Sequence, residues 1–318
     1  MKTSNRTYFR DIFSETQRLK RVILYTGIAL ILSALSFGSY YYVDRYIHLG
    51  DQSPVEKSIQ ELEALIRQHP DDVELRMALA ESYMADSRFE DANQQAAQVL
   101  SAYPDNERAM FVSGVSLATL EKWEQAIGPL EQFVVIRSKL SSAGMDSSLE
   151  TALYFLGQSY LSLGRFDESV TALTQVVKIN TADSDAYYLL GVAYSKSGRH
   201  EQAVANYEEA VRFVPNYTEA FQGMAESYVA LGKADHESYA RGMEAFSIND
   251  YQTAKTELES AVKGLPDFAP VFIGLGLTYE ELGDLQSAKE NLEHALQIDP
   301  NNYTASQALG RVNAKLQN

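Results

Sequence analysis

The chain has 318 residues, 45% of them hydrophobic, with 43 acidic against 27 basic side chains and a net charge of −16. The apolar content suffices for a packed core and excludes a mainly disordered chain, and the acidity argues against a nucleic-acid partner, whose phosphates need concentrated Lys and Arg. Cysteine is absent and the histidines His48, His69, His200, His236 and His294 are scattered singly, so neither a disulfide nor a metal or cofactor site is expected.

Residues 1–21 form a basic arm, with Lys2, Arg6, Arg10, Arg18, Lys20 and Arg21 against Asp11 and Glu15. From Val22 to Val43 no charged residue occurs in 22 positions. As a helix this run spans about 33 Å, enough for a hydrocarbon core of about 30 Å. It predicts a transmembrane helix over 22–43, with the arm in the cytoplasm and the rest, after a linker over 44–54, on the extracytoplasmic side of a plasma or inner membrane in a single-pass arrangement. A cleaved signal peptide is the competing reading, with Ser36-Phe37-Gly38 as its small-residue site; Tyr40, Tyr41 and Tyr42 followed by Asp44 and Arg45 fit the interfacial belt of a retained anchor. Ala29 with Ser33 and Ala34 with Gly38 allow close helix pairing, and so a homodimer.

From Pro54 onward the sequence repeats itself. Ala80, Gly114, Gly157, Gly191, Ala225, Gly242, Gly276 and Gly310 sit in similar local contexts, at spacings of 34, 43, 34, 34, 17, 34 and 34. Twelve residues after most of them stands a second small residue: Ala92, Ala126, Ser169, Ala203, Ala254 and Ala288. Two small residues so placed let antiparallel helices approach closely. Gly164, Gly198, Gly232 and Gly283 fall where the first helix of a pair ends, and Pro70, Pro104, Pro215, Pro266 and Pro300 where the second stops.

These units, best seen in LLGVAYSKSGRHEQAVANYEEAVRFVPN and GLGLTYEELGDLQSAKENLEHALQIDPNN, resemble the tetratricopeptide repeat family over about four-fifths of the chain. The resemblance implies an all-α fold, a right-handed superhelix of helix pairs following the transmembrane helix. Two spacings depart from it. The step of 43 places an insertion over 138–148, whose composition reads as a loop, neutral or a flap over the neighbouring groove. The step of 17 is half a repeat, so a helix of first-helix character from about Asp235 to Ile248 arrives where a second helix is due. The superhelix is therefore expected to change direction near 232–236, dividing the solenoid into 55–231 and 235–318. Residues 55–69 predict a lone second-type helix and 303–316 a capping helix.

In the family resembled, first helices line a concave surface, reached from three positions before and one after each small residue. That frame gives Met77 and Glu81, Phe111 and Val115, Tyr154 and Gln158, Tyr188 and Val192, Gln222 and Glu226, then Ile273 and Leu277. The candidate peptide-binding groove comprises Phe111, Val115, Tyr154, Gln158, Tyr188, Val192, Gln222 and Glu226. Its aromatic middle predicts a protein or peptide partner with apolar anchors, although Phe111 and Tyr154 also suit packing between helices. A terminal carboxylate is disfavoured, since the Lys, Asn and Arg that clamp one in this family are not at these positions. No GxSxG, GK[ST], HExxH or GxGxxG pattern occurs in the context its chemistry needs, so no enzyme is expected. The expected role is a membrane-tethered extracytoplasmic scaffold or adaptor, by analogy with envelope proteins that assist secretion or complex assembly. The alternatives are a self-associating structural protein and a noncatalytic subunit of a membrane enzyme.

Overall fold

The computed structural model describes residues 53–140 and 142–317, together with Ser33. Fifteen α-helices follow one another among the described residues. They are α1 (Pro54–Gln68), α2 (Val73–Ala85), α3 (Phe89–Ala102), α4 (Glu107–Thr119), α5 (Trp123–Arg137), α6 (Ser147–Ser162), α7 (Phe166–Ile179) and α8 (Ser184–Lys196). After these come α9 (His200–Phe213), α10 (Thr218–Ala230), α11 (Ala234–Ser247), α12 (Tyr251–Val262), α13 (Ala269–Leu282), α14 (Leu285–Ile298) and α15 (Tyr303–Leu316). Contacts divide the chain into residues 1–61 and 62–318, a boundary that falls inside α1. In the first unit, α1 opens on a capping box: Glu56 N–H donates to Ser53 Oγ and Ser53 N–H to Glu56 Oε2.

The second unit is a run of helix pairs. Several first helices start on a side chain that caps them, as when Asp72, Asn106, Asp183 and Asn302 accept backbone N–H groups of their first turns, whereas α10 and α13 follow Tyr217 and Phe268 without a side-chain cap. A first helix ends seven residues after its small residue in a left-handed position, with φ of 74° at Gly164 and 76° at Gly198. Where glycine is missing the turn is the same, and Ser87, Glu121 and Asn249 hold φ of 60°, 58° and 65°.

The small residues do what their spacing predicts. Ala80, Ala92, Ala126, Ser169, Ala203, Ala254 and Ala288 are wholly buried, and Ser169 satisfies its hydroxyl on the Gly157 carbonyl across the pair at 2.8 Å. A further position, sixteen residues after six of these first-helix small residues, supplies the side chain that fills the crossing: Ala96, Leu130, Leu173, Tyr207, Leu258 and Leu292, all buried. Each large residue lies directly over its glycine, so that a Cβ added at Gly114, Gly157, Gly242 or Gly276 would lie 2.5–2.6 Å from Cγ of the facing leucine.

Next-nearest helices pack in the order α2, α4, α6, α8, α10, and then α11, α13, α15. The row thus passes between two consecutive helices, α10 and α11. Sixteen residues after Ala225 stands Arg241, exposed on α11, where a second helix would present Leu or Tyr. Instead Gly242 of α11 takes Leu258 of α12. The antiparallel α10 and α11 are joined by a Thr218 to Ser247 hydroxyl contact of 2.8 Å and by the Tyr228 and His236 rings, 5.1 Å apart.

One expectation is corrected. No helix among the described residues is long and apolar enough to cross a membrane. The longest of them, α6, has 16 residues, about 24 Å, and helices such as α3, α7 and α14 bury one stripe and leave another polar, as in packed pairs. The run 22–43, on which the transmembrane helix rested, lies outside the described residues apart from Ser33, as do the arm over 1–21 and most of the linker over 44–54. The single-pass arrangement, with its cytoplasmic N-terminus and extracytoplasmic repeats, falls with that helix.

Candidate functional site

The eight candidate residues stand in pairs on α4, α6, α8 and α10, consecutive members of one packed row. Their exposure differs. Val115 is 6% exposed and belongs to the core. Phe111, Tyr154, Gln158, Tyr188 and Val192 are half-buried, and Gln222 and Glu226 are exposed.

At the α4 end, Phe111 lies against Phe133 of α5 with ring centroids 5.2 Å apart. The two rings, with Met84 and Val112, line a cavity of about 310 Å³ rimmed by Glu81, Glu107, Arg108 and Arg137. Its cations are held. Arg108 bridges Glu74 at 2.7 Å and Glu81 at 2.9 Å, and Arg137 reaches Asp146 at 2.6 Å and Glu107 at 3.5 Å. Asp146, only 6% exposed in its side chain, also caps α6 through the Ser148 and Leu149 N–H groups. Arg137 and Asp146 therefore pin both ends of the inserted segment beside the cavity, and Met145 in between is 89% exposed.

At the α6 to α10 end the surface is built of tyrosine. Tyr154 stands edge-on to Phe155 at 5.7 Å, and Tyr188 packs against Tyr217 at 5.1 Å and Tyr207 at 6.0 Å. Tyr217, from the turn before α10, donates its hydroxyl to Asp185 at 2.8 Å. Burial, then the nearby Asp185 and Asp183, pushes the Tyr154 phenol up to about 12. Burial, then Glu219 and Glu226, likewise raises Tyr188. All these phenols stay neutral near pH 7 and offer both a donor and an acceptor.

The frame of positions around each small residue misses four side chains that shape this face. Phe133 and Arg137 come from α5, Tyr207 from α9 and Tyr217 from a turn. Only Tyr207 carries a signal in the sequence, since it stands sixteen residues after Gly191, where four of the other units have Leu.

Family models described as tetratricopeptide repeat match residues 47–92 and 269–302, and one described as the tetratricopeptide repeat protein 21 C-terminal ARM domain matches residues 84–229. RNA polymerase II-associated protein 3 of Xenopus tropicalis is 30% identical over 108 residues, which cover 29% of this chain and 16% of that protein's length. Among solved structures, a MamA chain (MSR-1 C2) is 18% identical with a TM-score of 0.50, covering 58% of this chain and 98% of that one. A tetratricopeptide repeat protein from Parabacteroides merdae is 15% identical with a TM-score of 0.46, covering 88% and 98%. At such identities the likeness to MamA is one of fold alone.

Proposed function

Starting from a chain built of tetratricopeptide repeats, we propose that this protein is a non-catalytic adaptor that holds a segment of a partner protein against the face shared by α4, α6, α8 and α10. The observation that carries the reading is the line of half-buried aromatic rings, Phe111, Tyr154 and Tyr188, on successive helices of one row, next to a cavity of about 310 Å³. Rings of this kind add contact area at small entropic loss when a partner covers them, and the cavity beside Phe111 and Phe133 accepts one apolar side chain. A repeat scaffold leaves such a face unfilled because each unit packs only on its neighbours.

Replacing Tyr154 and Tyr188 together by Ala tests this. Proteins captured from an extract of the source cells by the immobilised full chain, quantified by mass spectrometry, are expected to fall at least fivefold for the double variant, with helicity at 222 nm unchanged. Undiminished capture would move the site off this face.

A further inference from the structure

Tyr207 is a buried residue whose hydroxyl takes no partner from the packing around it. It projects from α9 and is 2% exposed. Its ring runs between two glycines, so that a Cβ on Gly191 would lie 2.5 Å from Cε1 and a Cβ on Gly223 2.5 Å from Cζ and 2.6 Å from the hydroxyl. In the unit before it, and again at Leu258 and Leu292 beyond the half-step, the same position holds leucine, which brings no polar atom. The second glycine, Gly223, makes room for the hydroxyl itself. That hydroxyl makes no hydrogen bond among the described residues, and the groups it faces are Tyr188 and Glu226, both on the row of α8 and α10. The fully enclosed polar side-chain atoms without a partner among the described residues are Ser116 Oγ and His200 Nδ1; the Tyr207 oxygen is not one of them, so it keeps an opening through which a group from outside the packing can reach it.

Around Tyr188, the ring next to Tyr207, stand further aromatic and carboxylate side chains. Tyr188 and Tyr217 lie side by side, Asp185 is tied to Tyr217, and Asp185, Glu219 and Glu226 are exposed. None of these three acids takes part in an ion pair among the described residues, whereas Glu74, Glu81 and Glu107 at the other end of the row are all engaged by arginines. Tyrosine faces attract a cation, neighbouring carboxylates complete its field, and a phenol oxygen accepts from its N–H.

We propose that this face takes an arginine or lysine side chain of the bound segment, seated on Tyr188 and Tyr217, neutralised by Asp185, Glu219 and Glu226, and hydrogen-bonded by the Tyr207 hydroxyl. The partner segment is thus basic at this end and apolar at the Phe111 end. The inference rests on the peptide-binding reading above and adds the chemistry of its ligand.

A display library of random 12-residue peptides selected on the full chain provides the test. Selected peptides should be enriched in Arg and Lys at one position at least threefold over the unselected library. The enrichment should vanish when selection is repeated on the Glu219→Gln, Glu226→Gln double variant. It should persist on a variant with the same loss of charge on the second helices, Glu124→Gln with Glu201→Gln, which controls for the general attraction of a basic peptide to an acidic protein. Tyr207→Phe should weaken the best selected peptide at least threefold with no fall in melting temperature, because the deleted hydroxyl has no partner in the fold. Peptides selected without Arg or Lys enrichment, or with an enrichment that survives Glu219→Gln and Glu226→Gln, would overturn the cationic ligand and leave the adaptor reading standing. Failure to select any peptide that competes for Tyr188 would overturn both.

Discussion

Substituting Gly191 by Ala probes the close crossing on which both the fold and the tyrosine face depend. The new Cβ would lie 2.5, 2.6 and 2.9 Å from three ring carbons of Tyr207, whereas carbon atoms settle about 3.5–4.0 Å apart. The ring would have to withdraw by about 1 Å. It has no room, because α10 already closes on its far side, where a Cβ on Gly223 would lie 2.5 Å from Cζ. Overpacking of this kind costs about 1–3 kcal/mol, and a rigid ring held on both sides belongs at the upper end. The better helix propensity of Ala returns about 1 kcal/mol, leaving a net loss of about 2 kcal/mol. Gly310, inside α15, has nothing within 4 Å of its added Cβ, so Gly310→Ala keeps only the favourable part, a gain of about 0.5–1 kcal/mol. Urea unfolding at 222 nm reads both, and amide exchange in α8, α9 and α10 reads the loss locally should the repeats unfold in separate steps. A Gly191→Ala chain as stable as its parent, or a Gly310→Ala chain that is less stable, would refute the close-packing argument.

Three further perturbations follow from named contacts. Glu121 holds φ of 58° in a turn that other units build with glycine, so Glu121→Gly is expected to raise stability by about 0.5–1 kcal/mol in the same urea assay. Asp146→Ala removes the cap of α6 and the partner of Arg137 together, and should lower stability by about 2 kcal/mol with faster amide exchange at Ser148 and Leu149. Glu280 is 3% exposed in its side chain and bridges Arg311 and Lys315 of α15 at 2.9 Å. Burial raises its carboxyl, but the hydrogen bonds from those two cations outweigh it and hold it below the usual value of 4.5. Its contribution is complete above that value and is lost as the pH falls through the lower folded value, so α15 should loosen in acid. Glu280→Gln, losing about 1–2 kcal/mol at pH 7, should flatten that acid limb in a melting series.

The period of the fold was legible because each crossing demands a small residue, and a missing methyl group is visible at every repeat. Ala80, Gly114, Gly157 and Gly191 mark helices that the structure places in one row, and the half-step at Ala225 and Gly242 marks the place where the row passes from α10 to α11. The end of the first helix was legible only where glycine stands, as at Gly164. At Glu121 and Asn249 the surrounding pairs impose the left-handed turn on residues that do not favour it, so nothing local announces it. Phe111, Tyr154 and Tyr188 lie half-buried on that row. Val115 does not, because its neighbours on α4, among them Ser113, Gly114, Ser116 and Leu117, are buried as well and draw that side chain into the core. Tyr207 and Tyr217 escaped because a frame centred on first helices omits side chains that enter from behind or from a turn. The pairing of Arg137 with Asp146 across the insertion escaped because its two members are joined only by the path of the loop.

The most direct measurement is photocrosslinking of the full chain in its source cells, with benzoylphenylalanine in place of Tyr188 and, in a second chain, in place of Gln202 on the exposed side of α9. The account predicts a discrete crosslinked partner from position 188 that is absent from position 202, and lost from position 188 when Glu219 and Glu226 are changed to Gln. Equal products from both positions, or a partner attached only through position 202, would contradict it.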